Sequence, residues 1–211
     1  LIALIERAFS TGQGYGIDHF TGLFLNERNS YFFLSPLTIV WNSIKFASMT
    51  VLISLAVGTT ASYFLSRVDK KTGLFDALFM LPLGVSAVIM GYGFLISFNR
   101  SPIDLRDSWV ILVTAHSLIA YPFVIRSILP VLRGMNPNIR SVALMLGASP
   151  LQTIAHIDLP IISRTLLVGG IFAFAISMGE FGASLLLTRP EYTTMPVAIF
   201  RLLSQPGGEK F

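Results

Sequence analysis

The sequence predicts an all-α membrane protein, and three observations support this fold class. Of the 211 residues, 53% are hydrophobic and 12% are charged, whereas soluble domains carry about 25% charged residues. Four segments are apolar over the roughly 20 residues that a helix needs to cross the hydrocarbon core. The basic residues behind the net charge of +4 are scattered between apolar runs and form no patch with interleaved aromatic residues. We therefore expect the lipid bilayer, and no nucleic acid, to surround the chain.

The four predicted spans cover residues 37–65, 74–98, 109–132 and 166–187. Residues 1–9, LIALIERAF, are predicted to be the tail of a preceding helix, which makes about five membrane helices in all. Residues 1–35 are then that tail and an extracytoplasmic connection. The later stretch TMPVAIFRLL is too short to cross and carries Arg201, which favours an interfacial or re-entrant piece.

The distribution of lysine and arginine predicts the orientation of the spans. Connections 66–73 and 133–164 each contain three lysine or arginine residues, so both are predicted to face the cytoplasm. Connection 99–107 balances two arginines with two aspartates, and is predicted to face outward. Because the 211 residues contain no cysteine, disulfides, thiolate metal sites and cysteine nucleophiles are excluded within them.

The connection 133–164 contains a short punctuated segment, MLGASPLQTIAHIDLP, from residue 145 to 160. One apolar helical face precedes it, formed by Ile139, Val142, Ala143 and Leu146. Gly147 follows directly, where a glycine supplies the left-handed conformation that ends a helix. The sequence therefore predicts a helix that stops in a tight turn at Gly147.

A second, short helix is predicted immediately after this turn. Ser149 is placed to act as its N-cap, Pro150 suits its first position, and Gln152 completes a capping box. Pro160 is expected to stop this helix after one to two turns, since proline disfavours helical geometry at the preceding residue. Such an element suits a docking surface, although an ordinary loop with interfacial helices explains the same signals.

Nine residues separate Gly147 from Ile157, and one more residue separates Ile157 from the pair Leu159–Pro160. This spacing resembles the "EAA" loop of binding-protein-dependent ABC importer permeases. The resemblance implies a type I importer permease (MetI-like) helical bundle over residues 36–211, with a cytoplasmic coupling loop at 133–164. In that family the loop forms the coupling helix, which sits in a groove of the ATPase subunit. The family's Glu-Ala-Ala is replaced here by Ser141, Val142 and Ala143. The coupling residues that it implies are Ala143, Gly147, Ala148, Ser149, Pro150, Leu151, Gln152, Ile157, Leu159 and Pro160.

The likeness extends over most of the chain. WNSIKFASMTVLISLAVGTTASYFLSR, MLPLGVSAVIMGYGFL and AYPFVIRSILPVLRGM look like successive core helices of the family. The region SMGEFGASLLLTRPEYTTMPVAIFRLL is similar to the corresponding region of ferric-iron, thiamine and molybdate permeases. Two shorter motifs, LPLGVS and GEFGA, favour the ferric-iron and thiamine branch. Two such units are often fused in that branch, so the resemblance implies the C-terminal half of a fused permease, truncated before its last helix.

The resemblance implies a multi-pass permease subunit in the cytoplasmic membrane of a bacterium or archaeon. It would import a small solute, ferric iron or thiamine, together with ABC ATPase subunits, an extracytoplasmic solute-binding protein and a second permease half. The chain lacks a Gly-x-x-x-x-Gly-Lys-Ser/Thr loop, so we expect the partner ATPase, and not this chain, to use the ATP and magnesium. We expect this chain to be a transport subunit and no enzyme, with no catalytic residue and no bound cofactor or metal. The alternative is a secondary transporter or channel that works alone.

Glu180 is the sharpest candidate for a residue of the translocation path. An ionised carboxylate in a span costs about 2.5 to 3.5 kcal/mol, and such residues face a cavity or a partner. Gly179 and Gly182 beside it allow close helix approach or local unwinding, and Ser86 and Tyr92 of the second span complete the predicted path. In the alternative interpretation, Glu180 pairs with His116 or Lys45 of a neighbouring helix.

Overall fold

A computed structural model describes residues 2–11, 14–17, 21, 34–68, 73–100, 103–104 and 108–204. This part of the chain is almost entirely helical. Its helices, in chain order, are α1 (Ile2–Phe9), α2 (Pro36–Arg67), α3 (Leu74–Met80), α4 (Ala87–Ser97), α5 (Trp109–Gly134), α6 (Pro137–Met145), α7 (Pro150–Thr153), α8 (Leu159–Gly179), α9 (Gly182–Leu187) and α10 (Met195–Leu203). Two antiparallel hairpins join Ser10–Thr11 to Gly14–Tyr15 and Asn99–Arg100 to Ile103–Asp104.

Three helices of the described chain are long and apolar enough to cross a membrane. They are Pro36–Arg67, Trp109–Gly134 and a continuous helix Pro150–Gly179, which contains α7 and α8. The bent pair formed by Leu74–Gly84 and Ala87–Ser97 makes a fourth if it is counted as one span. The expected number of about five is therefore wrong for the described residues. The eight described residues of α1 extend over about 12 Å, and they coincide with the predicted tail of a preceding helix.

Helices α2, α5 and α8 pack against one another and form the centre of the bundle. Two glycines allow this close approach: a Cβ on Gly58 would lie 2.7 Å from Cβ of Val124, and one on Gly169 would lie 3.3 Å from Cα of Val124. Small residues have this role in membrane bundles because the bilayer gives apolar side chains no reason to leave lipid. The buried cluster around this contact consists of Ala120, Val124, Ile128, Leu132, Ile162 and Ala173.

The predicted span at residues 74–98 is not one continuous helix. Helix α3 leads into a 3₁₀ turn at Leu81–Gly84, the chain is extended at Ser86, and α4 then leaves at 95° to the first part. Pro82 lies in this turn, where its ring removes one backbone donor. Polar backbone groups freed by such a break need protein or water as partners, because lipid offers none.

The predicted fourth span, 166–187, differs from the structure at both ends. Its helix begins much earlier, since the chain is helical without interruption from Pro150 to Gly179. It then breaks at Glu180 and Phe181 and resumes as α9. The local unwinding expected from Gly179 and Gly182 is thus confirmed, whereas a single helix over 166–187 is wrong.

Candidate functional site

Residues 137–160, here called the connecting segment, begin with a helix that ends as the sequence predicted. Gly147 has a φ of +85°, in the left-handed region that glycine adopts without strain. The N–H of Gly147 donates to the carbonyl of Leu144, and the N–H of Ala148 donates to the carbonyl of Ala143, both at 3.0 Å. This pair of bonds is a Schellman motif, which satisfies carbonyls that the end of α6 would otherwise leave free.

The predicted capping box is also present. The N–H of Gln152 donates to Oγ of Ser149 at 3.2 Å, and the N–H of Ser149 donates to Oε1 of Gln152 at 2.8 Å. Pro150 occupies the first helical position. Proline has no backbone N–H, but an N–H at this position would have no partner within the helix. The turn and the start of α7 are therefore both defined by local hydrogen bonds.

Pro160 does not stop the helix, contrary to the prediction. A π-helical turn, Ile154–Asp158, follows α7, and the N–H of Leu159 donates to the carbonyl of Ile154, five residues back. In a regular α-helix the ring of Pro160 would clash with the carbonyl of His156. The wider π turn displaces these carbonyls, so the helix passes through Pro160 and continues as α8.

The side chains around the Gly147 turn are unusually exposed. Met145, Leu146 and Leu151, here called the apolar tip, are 87%, 83% and 79% exposed, more than any other large hydrophobic residue described. The apolar face predicted for α6 exists, but the bundle does not cover it: Ile139 and Val142 are also exposed. An uncovered apolar surface of this kind is typical of an interaction site.

The predicted coupling residues follow the same pattern. Most are exposed, namely Gly147, Ser149, Pro150, Leu151, Gln152, Leu159 and Pro160, whereas Ala143, Ala148 and Ile157 are half-buried. The sequence prediction omitted Met145 and Leu146 from this set. Both residues come directly before Gly147, and this position next to the turn was the feature of the sequence that could have predicted their exposure.

Two ion pairs at this end of the bundle also escaped the sequence analysis. Nε of Arg140 donates to Oδ1 of Asp158 at 2.9 Å, within the connecting segment. Arg133 of α5 binds both carboxylate oxygens of Asp76 of α3 at 2.8 Å.

The second group of candidates lies where α4 and α9 pack together, beside the breaks that precede both helices. A Cβ on Gly182 would lie 3.0 Å from Cγ2 of Val88, and one on Gly91 would lie 2.9 Å from Cα of Ala183. A side chain at Gly91 would overlap the backbone of Ala183, and one at Gly182 would require the neighbouring Val88 and Ala87 to shift. The close approach expected of Gly182 is confirmed, and it brings the start of α9 against the start of α4.

Glu180 acts locally at this contact. Its Oε1 accepts a hydrogen bond from the N–H of Ala183 at 3.0 Å, so the carboxylate binds a backbone donor that the break leaves free. The alternative pairing with His116 or Lys45 is not found. Both nitrogens of His116 have other partners, and the Lys45 ammonium lies 5.8 Å from the ring centroid of Trp109.

His116 joins the two halves of the broken helix. Its Nδ1 lies 2.8 Å from Oγ of Ser177 in α8, and its Nε2 lies 2.8 Å from Oγ of Ser184 in α9. Ser177 in turn donates to Oγ1 of Thr50 at 3.3 Å. A neutral imidazole has one donor and one acceptor nitrogen, so one of the two serine hydroxyls donates to His116 and the other accepts from it. All four side chains are buried, so a satisfied polar network fixes the geometry of the break.

The other predicted path residues lie around this contact in different environments. Ser86 immediately precedes α4 and is exposed, as is Tyr92 on α4. Gly179 is exposed at the end of α8, with no atom within 4 Å of the position of a Cβ. Glu180 is half-buried. The structure thus places the Ser86 and Glu180 breaks beside one contact, and leaves the region around Gly179 open.

Comparison with known proteins gives the family. No family model matches the chain. It is 32% identical over 182 residues to the molybdenum transport system permease protein ModB of Escherichia coli K12, which covers 79% of this chain and 80% of that protein. The chain belongs to the ABC importer permeases.

Other relatives of this permease support the same family. It is 31% identical over 168 residues to the putative 2-aminoethylphosphonate transport system permease protein PhnV of Salmonella typhimurium, with 77% of this chain and 63% of that protein covered. It is 29% identical over 184 residues to the putative molybdenum transport system permease protein YvgM of Bacillus subtilis, with 80% and 79% covered. The permease thus spans less than two thirds of the length of the phosphonate relatives. These relatives do not support the predicted ferric-iron and thiamine branch.

Proposed function

We propose that this chain forms the membrane-embedded path of an ATP-driven importer for a small oxyanion, and that a separate ATPase docks on its apolar tip. The apolar tip is the single observation that carries the docking proposal. Met145, Leu146 and Leu151 lie on both sides of a turn that the Schellman motif and the capping box hold in one shape. A preformed apolar knob loses little conformational entropy when a partner covers it.

The surroundings of the tip favour a protein groove over lipid as its environment. Exposed polar side chains of Asn138, Ser149, Gln152 and His156 belong to the same connecting segment. Insertion of the tip into the hydrocarbon core would remove these groups from water, at a cost of several kcal/mol. A protein groove covers the apolar side chains while the polar ones stay hydrated. The connection 133–164, which includes the connecting segment, would then face the cytoplasm, as its three arginines predict.

The packed breaks at Ser86 and Glu180 are the best candidates for the wall of the path. Backbone groups freed by a break inside a membrane are tolerated where they line a cavity or contact protein. Glu180 already uses one freed donor, and His116 fixes the two helix ends around it. In this proposal Glu180, Gly179, Gly182, Ser86 and Tyr92 lie at the path, which opens alternately to each side.

The proposed substrate class follows from the relatives, whose names include molybdenum and 2-aminoethylphosphonate transport. The working complex would contain two ATPase subunits that use ATP and magnesium, a solute-binding protein outside the membrane, and a second permease half. Ferric iron and thiamine, expected from LPLGVS and GEFGA, are the competing substrates. Uptake of labelled molybdate, 2-aminoethylphosphonate, ferric citrate and thiamine by cells with and without the full-length protein decides among them.

Copurification tests the docking proposal. The full-length protein is purified from its own membranes, and the bound protein is identified by its Walker motif and by vanadate-sensitive ATP hydrolysis. Leu151→Ala removes about 2 kcal/mol of apolar burial, so we expect the ATPase to be bound about 30-fold more weakly. Leu52→Ala on α2 is the matched control, because Leu52 is similarly exposed but lies outside the connecting segment. Equal ATPase recovery from both variants would contradict docking at the tip, and ATP-independent uptake would favour a stand-alone transporter.

A further inference from the structure

One ion pair inside the connecting segment joins a buried carboxylate to a half-buried guanidinium. Asp158 ends the π turn and its side chain is 1% exposed, while Arg140 lies on α6, on the other side of the Gly147 turn. Nε of Arg140 donates to Oδ1 of Asp158 at 2.9 Å. The pair therefore closes the base of the hairpin whose apex carries the apolar tip.

The same arginine reaches a third element. Its guanidinium carbon lies 5.9 Å from the ring centroid of Tyr63 on α2, within the distance of a cation–π contact. One buried polar atom in this cluster, Nη2 of Arg140, lies without a hydrogen-bond partner among the described residues, and the hydroxyl of Tyr63 lies beside Asp158. The guanidinium is thus held between the carboxylate and the aromatic ring without a full set of hydrogen bonds.

This arrangement connects the apolar tip to the spanning helices by more than the peptide chain. Asp158 directly precedes α8 and is continuous with it, and Tyr63 lies in the last turns of α2. Leu151 of the tip already lies in the continuous helix Pro150–Gly179, whereas Met145 and Leu146 lie at the end of α6. Arg140 is placed to carry a displacement of these two residues from α6 to both spanning helices. Without the pair, α6 could rotate about the Gly147 turn independently of α8.

We propose that the Arg140–Asp158 pair, supported by Tyr63, is the clasp that transmits motion of the apolar tip to α2 and α8. Arg140 and Asp158 are positioning residues, since they act through the helices and touch no solute. This inference rests on the proposed docking of an ATPase at the tip, and it assigns coupling to a contact inside this chain.

A second ion pair supplies a control of the same chemistry, although its aspartate is 39% exposed and Asp158 is 1% exposed. Arg133 donates to both oxygens of Asp76 at 2.8 Å, and its Nη2 also donates to the carbonyl of Leu65 at 3.2 Å. This pair joins α5, α3 and α2 at the same end of the bundle, but includes no residue of the connecting segment. Asp76→Asn and Asp158→Asn therefore make the same chemical change at two ion pairs, one outside the clasp and one within it.

The test compares the two variants in the complete transporter, purified with its own ATPase and binding protein and reconstituted into phospholipid vesicles. Uptake of labelled molybdate is measured together with ATP hydrolysis, and the solute moved per ATP is the readout; labelled 2-aminoethylphosphonate replaces molybdate if the wild type does not move molybdate. For Asp158→Asn we expect normal recovery of the ATPase, continued hydrolysis and about a tenfold lower ratio. Asp76→Asn is expected to leave the ratio unchanged, even where it lowers the yield.

A second measurement keeps the proposal testable if Asp158→Asn inserts poorly. The double variant Arg140→Gln, Asp158→Asn leaves no lone buried charge but lacks the clasp, so we expect it to insert and still show the low ratio. Spin labels at Asn138→Cys and Thr60→Cys, both exposed positions in a sequence without cysteine, should give a broader distance distribution in the double variant than in the wild type.

The outcomes separate this inference from the proposed function. A wild-type complex that holds no ATPase would contradict the proposed function itself. If the wild type holds its ATPase, the clasp is overturned by an unchanged transport-to-hydrolysis ratio in the double variant, or by an equal fall in Asp76→Asn. An unchanged distance distribution in the double variant overturns it as well.

Discussion

Substitution of Gly147 tests whether the backbone conformation of the turn, or the space around it, matters for transport. The φ of Gly147 is +85°, and no atom lies within 4 Å of the position where a Cβ would be. A larger side chain therefore meets no obstacle, and the cost comes from the left-handed conformation alone. That cost is about 1 to 2 kcal/mol for most L-residues and smaller for asparagine and aspartate. The equilibrium constant for formation of the turn should fall about 5- to 30-fold with a costly residue.

If the left-handed conformation decides, the variants rank differently in ATP-dependent uptake than if side-chain size decides. We expect Gly147→Asn to retain most uptake, Gly147→Ala to lose part of it, and Gly147→Val to lose most, with equal amounts of inserted protein checked by immunoblot. Gly147→Asp is a different test. Aspartate adopts the left-handed conformation at low cost, but it adds a charge beside the apolar tip. The same three neutral substitutions at Gly134 are the control, because that glycine also has open space but no positive φ. Uptake that falls with side-chain size, Ala above Asn, would refute the conformational argument.

Two stability predictions concern the packing of the broken helices, and both use the thermal unfolding midpoint of the purified protein. Gly91→Val places a side chain 2.9 Å from Cα of Ala183, and should destabilise by about 1 to 3 kcal/mol. Gly93→Val, on the same helix but in open space, should change little, and equal midpoints for the two variants would contradict the close contact. His116→Leu leaves two buried hydroxyls without their partner, and should cost about 2 kcal/mol. Thr114→Val removes only a hydroxyl bonded within its own helix; a midpoint as low as that of His116→Leu would argue against the network.

The sequence predicted local features of the connecting segment well because they depend on neighbouring residues. Gly147 and the box formed by Ser149 and Gln152 act over one to three positions, so their residue types are sufficient evidence. The bend within residues 74–98 was harder to locate. The sequence predicted one span there, whereas the structure bends by 95° at Pro82 to Ser86, and α4 packs against α9, more than 90 residues away. The mean hydropathy of a 20-residue window shows that a segment is apolar, but it has the same value for a straight span and for a broken one.

The largest error came from Pro160, and it also explains why the clasp was not foreseen. A proline after a short helix normally marks its end, and a helix that stopped there would leave Asp158 in a loop exposed to water. The π turn instead lets the helix continue, and its extra residue per turn rotates Asp158 away from the position it would have in a regular helix. The carboxylate of Asp158, at the end of this π turn, binds Arg140, 18 residues earlier. π turns are rare and occur often at functional sites. The contact to which we assign coupling thus lies at the helical irregularity that the sequence did not predict, and the Asp158→Asn comparison is the experiment on which that assignment depends.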